Sequence, residues 1–247
     1  MVCKPEQGTP SYTSWELLHS AILRCQACPR LVEHRLQVSE QKRKRFRSEP
    51  YWGKPVTGFG DPEARLLLVG LAPGAHGANR TGRVFTGDSS GDWIFEALHR
   101  FGFASQPFST SAGDGMVLHK VFISIACRCV PPQNRPSPEE LDRCRRFLFS
   151  EIALLTQLQL IITFGRIALD SFWKSAPGGW AVKCEKPAFI HGKMVALPGG
   201  KSLLTSYHPS RQNTQTGRLT RDMWYEVFSA ARNFLEGESL AAGWRWK

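Results

Sequence analysis

The sequence predicts an α/β protein in which helices cover both faces of a parallel sheet. Three observations carry that class. Four short runs, Leu66–Leu71, Val121–Ala126, Leu160–Phe164 and Ser202–Tyr207, are mostly apolar without regular alternation, the pattern of strands buried on both faces. Helix-patterned stretches separate them, roughly 92–101, 138–157, 166–173 and 221–235, and strands alternating with helices read as a parallel sheet. No repeat and no linker-like segment divides the 247 residues, so a single domain over 1–247 is expected, with roughly the first 12 and last 10 residues peripheral.

Taken in chain order, residues 13–24 read as an amphipathic helix. Trp15, Leu18 and Ile22 recur at helical spacing, and Thr13 and Glu16 have capping-box spacing. The helix should end near Cys25. Residues 40–49 are highly charged and read as a solvated helix face or loop, and residues 50–64, with Pro and Gly, as loop. The first strand runs into a glycine-rich turn. Ser137, Pro138 and Glu140 mark the start of the helix over 138–157: a capping side chain, a proline at the first position and a carboxylate at the third. The short runs Ala188–Ile190 and Met194–Leu197 flank His191-Gly192-Lys193 and read as a hairpin.

The composition sets further bounds. Lys and Arg number 32 and Asp and Glu 21, a formal net charge of +11, which favours a polyanionic partner through steering and counterion release. A run of 18 or more apolar residues is absent, so no membrane span is predicted. The first residues are polar and lack an apolar signal core, from which a cytoplasmic protein is expected. In that compartment the seven cysteines should be reduced and either buried or metal-bound.

Two cysteine pairs stand out. Cys25 and Cys28 form C-x2-C ahead of Pro29; Cys129 precedes Val130-Pro131-Pro132, and Cys144 falls within the first two turns of the 138–157 helix. The second pair is too widely spaced for a zinc-ribbon knuckle, and four thiolates from two distant segments also suit a [4Fe–4S] cluster. The alternative is four unrelated buried thiols. Cys3, Cys127 and Cys184 lack partners at ligand spacing, and Cys127 should point away from Cys129 in an extended segment.

The segment Gly70-Leu71-Ala72-Pro73-Gly74-Ala75-His76-Gly77 lies where open α/β sheets bind ligands, beyond a strand's carboxyl end. Its glycines let backbone approach a ligand closely. G-x-G-x-x-G is absent, and Arg83-Val84 stands where a phosphate-binding P-loop needs Lys and Ser or Thr. Residues 87–91 spell G-x-S-x-G but do not follow a strand directly, so Ser89 is read as a chance match to a nucleophile elbow.

These residues resemble a known family. The segments 51–62 (YWGKPVTGFGDP), 70–88 (GLAPGAHGANRTGRVFTGD), 129–141 (CVPPQNRPSPEEL) and 206–220 (SYHPSRQNTQTGRLT) are similar to the iron–sulfur uracil-DNA glycosylases, most closely family 5 (type B), over about Cys25 to Leu235. The resemblance implies a three-layer α/β/α sandwich with a four-stranded parallel sheet and a [4Fe–4S] cluster on Cys25, Cys28, Cys129 and Cys144. It implies an enzyme of base-excision repair acting on uracil and other deaminated bases, such as hypoxanthine, in DNA. A monofunctional enzyme is expected, since no lysine occupies a recognised motif position, and a monomer associated with the nucleoid. The chain departs from family 4 in having Leu71 after the motif glycine, where that family has Glu, and in lacking an Asn in the Val121–Ala126 strand.

Expected roles follow, those of His208, Phe85 and the 209–217 loop from the resemblance and the others from residue chemistry and position. Asp88 should orient or activate the attacking water, although an Asp ahead of a helix also reads as a cap. His208, at the end of the fourth strand, should donate a hydrogen bond to the leaving base. Phe85 should stack on the flipped base, with core packing as its alternative. Asn134 should meet the base edge, or else serve the turn before Arg135-Pro136. Gly70, Ala72 and Gly74 should shape the pocket through their backbone, and His76 should line it. Ser210, Arg211, Gln212 and Asn213 resemble a loop that wedges into the duplex. The run Lys42-Arg43-Lys44-Arg45-Phe46-Arg47 is a candidate for contact with the DNA backbone. Two rival readings are a non-enzymatic iron–sulfur nucleic-acid-binding protein and a hydrolase using Ser89.

Overall fold

The computed structural model describes residues 12–176 and 185–237. Cys3, Cys184 and most of the terminal segments expected to be peripheral lie outside them.

The chain opens with α1 (Trp15–Leu23) and α2 (Pro29–Gln41), then passes a single 3-10 turn at Lys44–Phe46. Strand β1 (Phe59–Gly60) precedes β2 (Leu66–Gly70), α3 (Ala78–Thr81) and α4 (Ser89–Arg100). Next come β3 (Val121–Ile125), α5 (Pro138–Leu154), β4 (Leu160–Phe164) and α6 (Arg166–Ser175). The described chain finishes with β5 (Met194–Leu197), β6 (Lys201–Ser206), α7 (Arg211–Gln215) and α8 (Arg221–Glu236).

The sheet order is β1-β3-β2-β4-β6-β5. β3, β2, β4 and β6 pair in parallel, in registers such as Leu68 opposite Ile123 and Ile162 opposite Leu204. β1 and β5 close the two edges antiparallel. The expected four-stranded parallel sheet is therefore corrected to a mixed sheet of six strands whose centre is parallel. The edges escaped notice because β1 is two residues long and β5 pairs locally. The expected hairpin is also corrected: β5 pairs with β6 across Pro198–Gly200, not with 188–190. Gly199 and Gly200 both take positive φ there, a conformation glycine adopts without steric cost.

All five residues of β2, β3 and β4 are buried, because both faces carry helices. Leu66, Leu68, Ile123 and Ile162 meet α4 and α8 through Ile94, Phe95, Trp224 and Phe228. Leu67, Val69, Phe122 and Ile161 meet α5 and α6 through Leu148, Ile152, Leu169 and Phe172. Each such side chain stabilises the fold by about 1.5–3 kcal/mol, enough to hold strands too short to persist alone.

Helix starts follow side-chain caps. Ser14, not Thr13, caps α1 by accepting from Leu17 N–H. At α5 the expected capping box is present: Ser137 accepts from Glu140 N–H, and Glu140 accepts from Ser137 N–H at 2.7 Å. Helix α2 was not expected. Only Leu31 and Arg35 are buried along it, so it shows little apolar periodicity.

Candidate active site

Beyond the carboxyl ends of β2, β4 and β6 lies a cleft of about 1260 Å³, lined by the turns Leu71–Gly77, Gly165–Ala168 and His208–Gln212 together with Phe85 and Asp88. Parallel strands end on one side of the sheet, which brings these distant segments together.

Asp88 is both a cap and a cleft residue. Its Oδ1 accepts from the N–H groups of Ser90 and Gly91 at 3.0 Å each, starting α4. Its Oδ2 faces the turn 74–77 so closely that a Cβ on Gly77 would sit 2.0 Å from it, and one on Gly74 2.7 Å. One oxygen is thus engaged in the cap while the other is left facing the cleft. Burial pushes the carboxyl above its ordinary range, against the lowering effect of the two N–H donors.

Phe85 has φ 52° and is nearly buried. Its ring lies over Gly70, where a Cβ would meet Cζ at 2.4 Å. It also stands edge-on to Phe164 with ring centres 6.2 Å apart, and 6.0 Å from the His208 ring. Gly70 is buried beneath that ring, so its part is to make room for Phe85. Ala72 and Gly74 line the cleft itself.

His208 follows β6 and sits beside Gly165. Burial alone lowers its pKa to about 4, so the ring is neutral at physiological pH. Its Nδ1 is buried without a hydrogen-bond partner among the described residues. The Asn213 side-chain N–H donates to the His208 carbonyl at 2.9 Å and fixes the backbone.

The remaining candidates divide. Asn134 lies exposed on the cleft rim with φ 56°, and its N–H donates to Pro131 O at 3.2 Å. Ser210 caps α7, and Arg211 Nε donates to Ser89 Oγ at 3.3 Å. The segment expected as a loop is therefore partly helical. Ser210, Arg211 and Gln212 line the cleft, whereas the Asn213 side chain turns back to the backbone. Ser89 has an arginine beside it, not a base. His76 lines the cleft with Nδ1 3.0 Å from Tyr51 Oη.

Sequence reasoning missed Tyr51, because a pairing 25 residues apart leaves no local trace. It also missed a clamp at the rim. Arg83 pairs with Asp114 at 2.6 Å and donates to Ser109 Oγ at 2.6 Å, tying the 105–118 segment to the turn that carries Phe85. Burial would raise the Asp114 carboxyl. The Arg83 hydrogen bond, helped by the N–H groups of Met116 and Thr110, overrides this and pulls it down to about 2.

Behind the cleft, Cys25, Cys28, Cys129 and Cys144 line one small cavity. Among the described residues no group of three or more His, Cys, Asp or Glu is arranged to hold a single metal ion; the four thiols surround a space instead. Burial, then the neighbouring Cys144, pushes Cys129 up to about 12, so a cationic centre would be needed to hold it as a thiolate. Arg143 and Arg146 flank the set, donating to Ala27 O at 3.0 Å and Cys25 Sγ at 3.9 Å. Cys127 does not line that cavity, in keeping with its exclusion from the set, but it is not remote from the thiols. It is buried in the same cluster, its Sγ donates to Cys129 O at 3.4 Å, and its hydrogen bond with Cys144 favours the protonated form at Cys127.

The fold, with a desolvated carboxylate, an aromatic shelf and a neutral imidazole at the sheet's carboxyl edge, defines a class. The model of the uracil DNA glycosylase superfamily matches residues 57–232, and the chain belongs to that superfamily. Within it the chain is similar to type-5 uracil-DNA glycosylases. It is 51% identical over 208 residues to that of Thermus thermophilus, covering 84% of this chain and 92% of the relative. It is 45% identical over 216 residues to that of Mycobacterium leprae, covering 87% and 93%, and 40% identical over 210 residues to that of Pyrobaculum aerophilum, covering 85% and 88%.

Proposed function

We propose that the chain is a monofunctional uracil-DNA glycosylase that hydrolyses the N-glycosidic bond of uracil, and of other deaminated bases such as hypoxanthine, leaving an abasic site. It acts as a monomer on DNA in the cytoplasm. The observation that carries this reading is the single cleft shared by Asp88, Phe85 and His208.

A base within a duplex is out of reach and must swing into the cleft. Phe85 offers the face on which it stacks. Breaking the bond leaves positive charge on the sugar and negative charge on the base, and groups aimed at those charges lower the barrier. The neutral imidazole of His208 donates an N–H to the departing base. Asp88 Oδ2, free of the capping bonds, stabilises the cationic sugar and receives the proton of the water that adds to it. Asn134 meets the base edge from the rim, its amide being able both to donate and to accept.

The donor set at the second cavity fits a [4Fe–4S] cluster held by Cys25, Cys28, Cys129 and Cys144. Such a group would tie the α1–α2 junction to α5 and the turn after β3, which is structural chemistry; glycosidic hydrolysis needs no electron transfer. A brown protein with iron and sulfide in equal amounts is expected, and chelation should lower its thermal stability.

The test is base release from a panel of lesion oligonucleotides, followed by alkali. Strand scission at uracil is the expected result. Intact strands with retained DNA binding would favour a non-enzymatic nucleic-acid-binding protein instead.

A further inference from the structure

The proposed reaction uses the floor of the cleft and leaves one side of its lip without a task. That lip joins the 3-10 turn at Lys44–Phe46 to the backbone around His76. The Phe46 ring lies between two guanidinium groups, Arg45 at 4.2 Å and Arg80 at 4.0 Å. Arg80 pairs with Glu49, and its Nε donates to His76 O at 2.8 Å. Arg43 and Arg45 are exposed, line the cleft and have no carboxylate partner among the described residues.

A short relay crosses the same lip. The Arg43 N–H donates to Tyr51 Oη at 3.4 Å, and that hydroxyl stands 3.0 Å from His76 Nδ1, placed to donate to it. With Nδ1 accepting, a neutral ring carries its proton on Nε2. Burial, reinforced by Arg43, Arg80 and Arg45, lowers the ring's pKa and so favours its neutral form. Two unmatched cations beside an oriented neutral donor form an anion site.

We propose that this lip grips a DNA phosphodiester next to the extruded nucleotide: Arg43 and Arg45 supply charge, His76 supplies the Nε2 N–H, and Tyr51 is the positioning residue that fixes its tautomer. The inference rests on the reading of the cleft as a glycosylase site and adds to it a specific backbone contact.

The experiment uses uracil oligonucleotides in which single phosphates around the lesion are replaced by uncharged methylphosphonates. Cleavage of the unmodified oligonucleotide tests the glycosylase reading by itself. Given that cleavage, neutralising one phosphate near the uracil should weaken binding about tenfold, in the range of a hydrogen bond to a charged group. A double Arg43→Ala, Arg45→Ala variant should bind ordinary DNA correspondingly less well and should lose little more when the same phosphate is neutral. Losses that simply add at every phosphate position would overturn the proposal. Tyr51→Phe should weaken binding several-fold on its own, yet change nothing in a His76→Gln background, where the amide donor needs no tautomer fixed. An equal Tyr51→Phe effect in both backgrounds would show that the tyrosine merely supports the fold.

Discussion

The floor of the cleft and its lip are built from opposite chemistry. On the floor, Phe85, His208 and Asp88 are desolvated: burial holds the imidazole neutral, with a pKa of about 4, and raises the carboxyl. On the lip, Arg43, Arg45 and Arg211 keep their charges in water. A charge or dipole that water cannot screen acts strongly on charge developing in a transition state. A charge in water mainly raises the encounter rate and the affinity for a polyanion, and salt weakens it. Substitutions on the floor should therefore change kcat with little salt dependence, and those on the lip should change KM with much.

Asp88→Asn should show the largest effect. The amide oxygen still accepts from Ser90 and Gly91, so the α4 cap survives, but the charge facing the 74–77 turn is lost. Single-turnover cleavage should fall about 100- to 10,000-fold, the range of a lost acid–base group, while DNA affinity and melting temperature change little. Asp88→Ala should lose the cap as well, at about 1 kcal/mol of stability. Near wild-type cleavage by Asp88→Asn would remove the carboxylate from the mechanism. Because burial raises this carboxyl above 3.8, the acid limb of the wild-type rate profile should fall at a pH above that value.

His208→Ala comes next, with a loss of about 100- to 1,000-fold in kcat, that of one donor to a developing anion. The same residue has a stability signature. Its folded-state pKa, about 4, lies below the ordinary 6.5, so between those values the unfolded chain binds the proton first. Stability should fall as pH drops from 6.5 toward 4, and His208→Leu should flatten that part of the urea-denaturation profile. An unchanged slope would mean that the ring is solvated, contrary to its placement on the floor.

The floor was far more legible in the sequence than the lip. Asp88 and Phe85 fall in the 70–88 segment and His208 in the 206–220 segment that resemble the family, His208 also standing at a strand's carboxyl end, and the parallel centre of the sheet was readable from its continuous apolar runs. The lip depends on α2, whose buried face includes the charged Arg35, donating to Gly53 O; nothing local marks an arginine as buried. Tyr51 and His76 meet only through the folded chain. The β5–β6 turn was encoded in Pro198-Gly199-Gly200, but the neighbouring apolar run 188–190 offered a competing partner.

Gly70→Ala would perturb the floor without removing a functional group. The added methyl would lie 2.4 Å from Phe85 Cζ, so the ring must shift. Phe85 already holds a left-handed backbone at φ 52° and is pinned between Phe164 and His208. The stacking face should move, and kcat/KM should drop about tenfold, within the one to three kcal/mol that overpacking costs. Phe85→Leu should produce a similar loss, and the two changes should not add, since both remove the same shelf. Additive losses would detach Gly70 from the base-stacking surface.

Arg211→Ala should have the smallest effect and best separates the two regions. Arg211 is exposed at the start of α7, and its Nε reaches Ser89 Oγ at 3.3 Å, beside the α4 cap. If it serves the lip, its loss should raise KM a few-fold at low salt, leave kcat unchanged, and reduce the slope of log affinity against log salt by about one. If it braces Asp88 through Ser89, kcat should fall, and Ser89→Ala should reproduce the fall. The distance alone favours neither outcome, but the charge does. An exposed guanidinium contributes little rigidity to a hydroxyl, whereas a phosphate arriving at the cleft mouth gains from it directly.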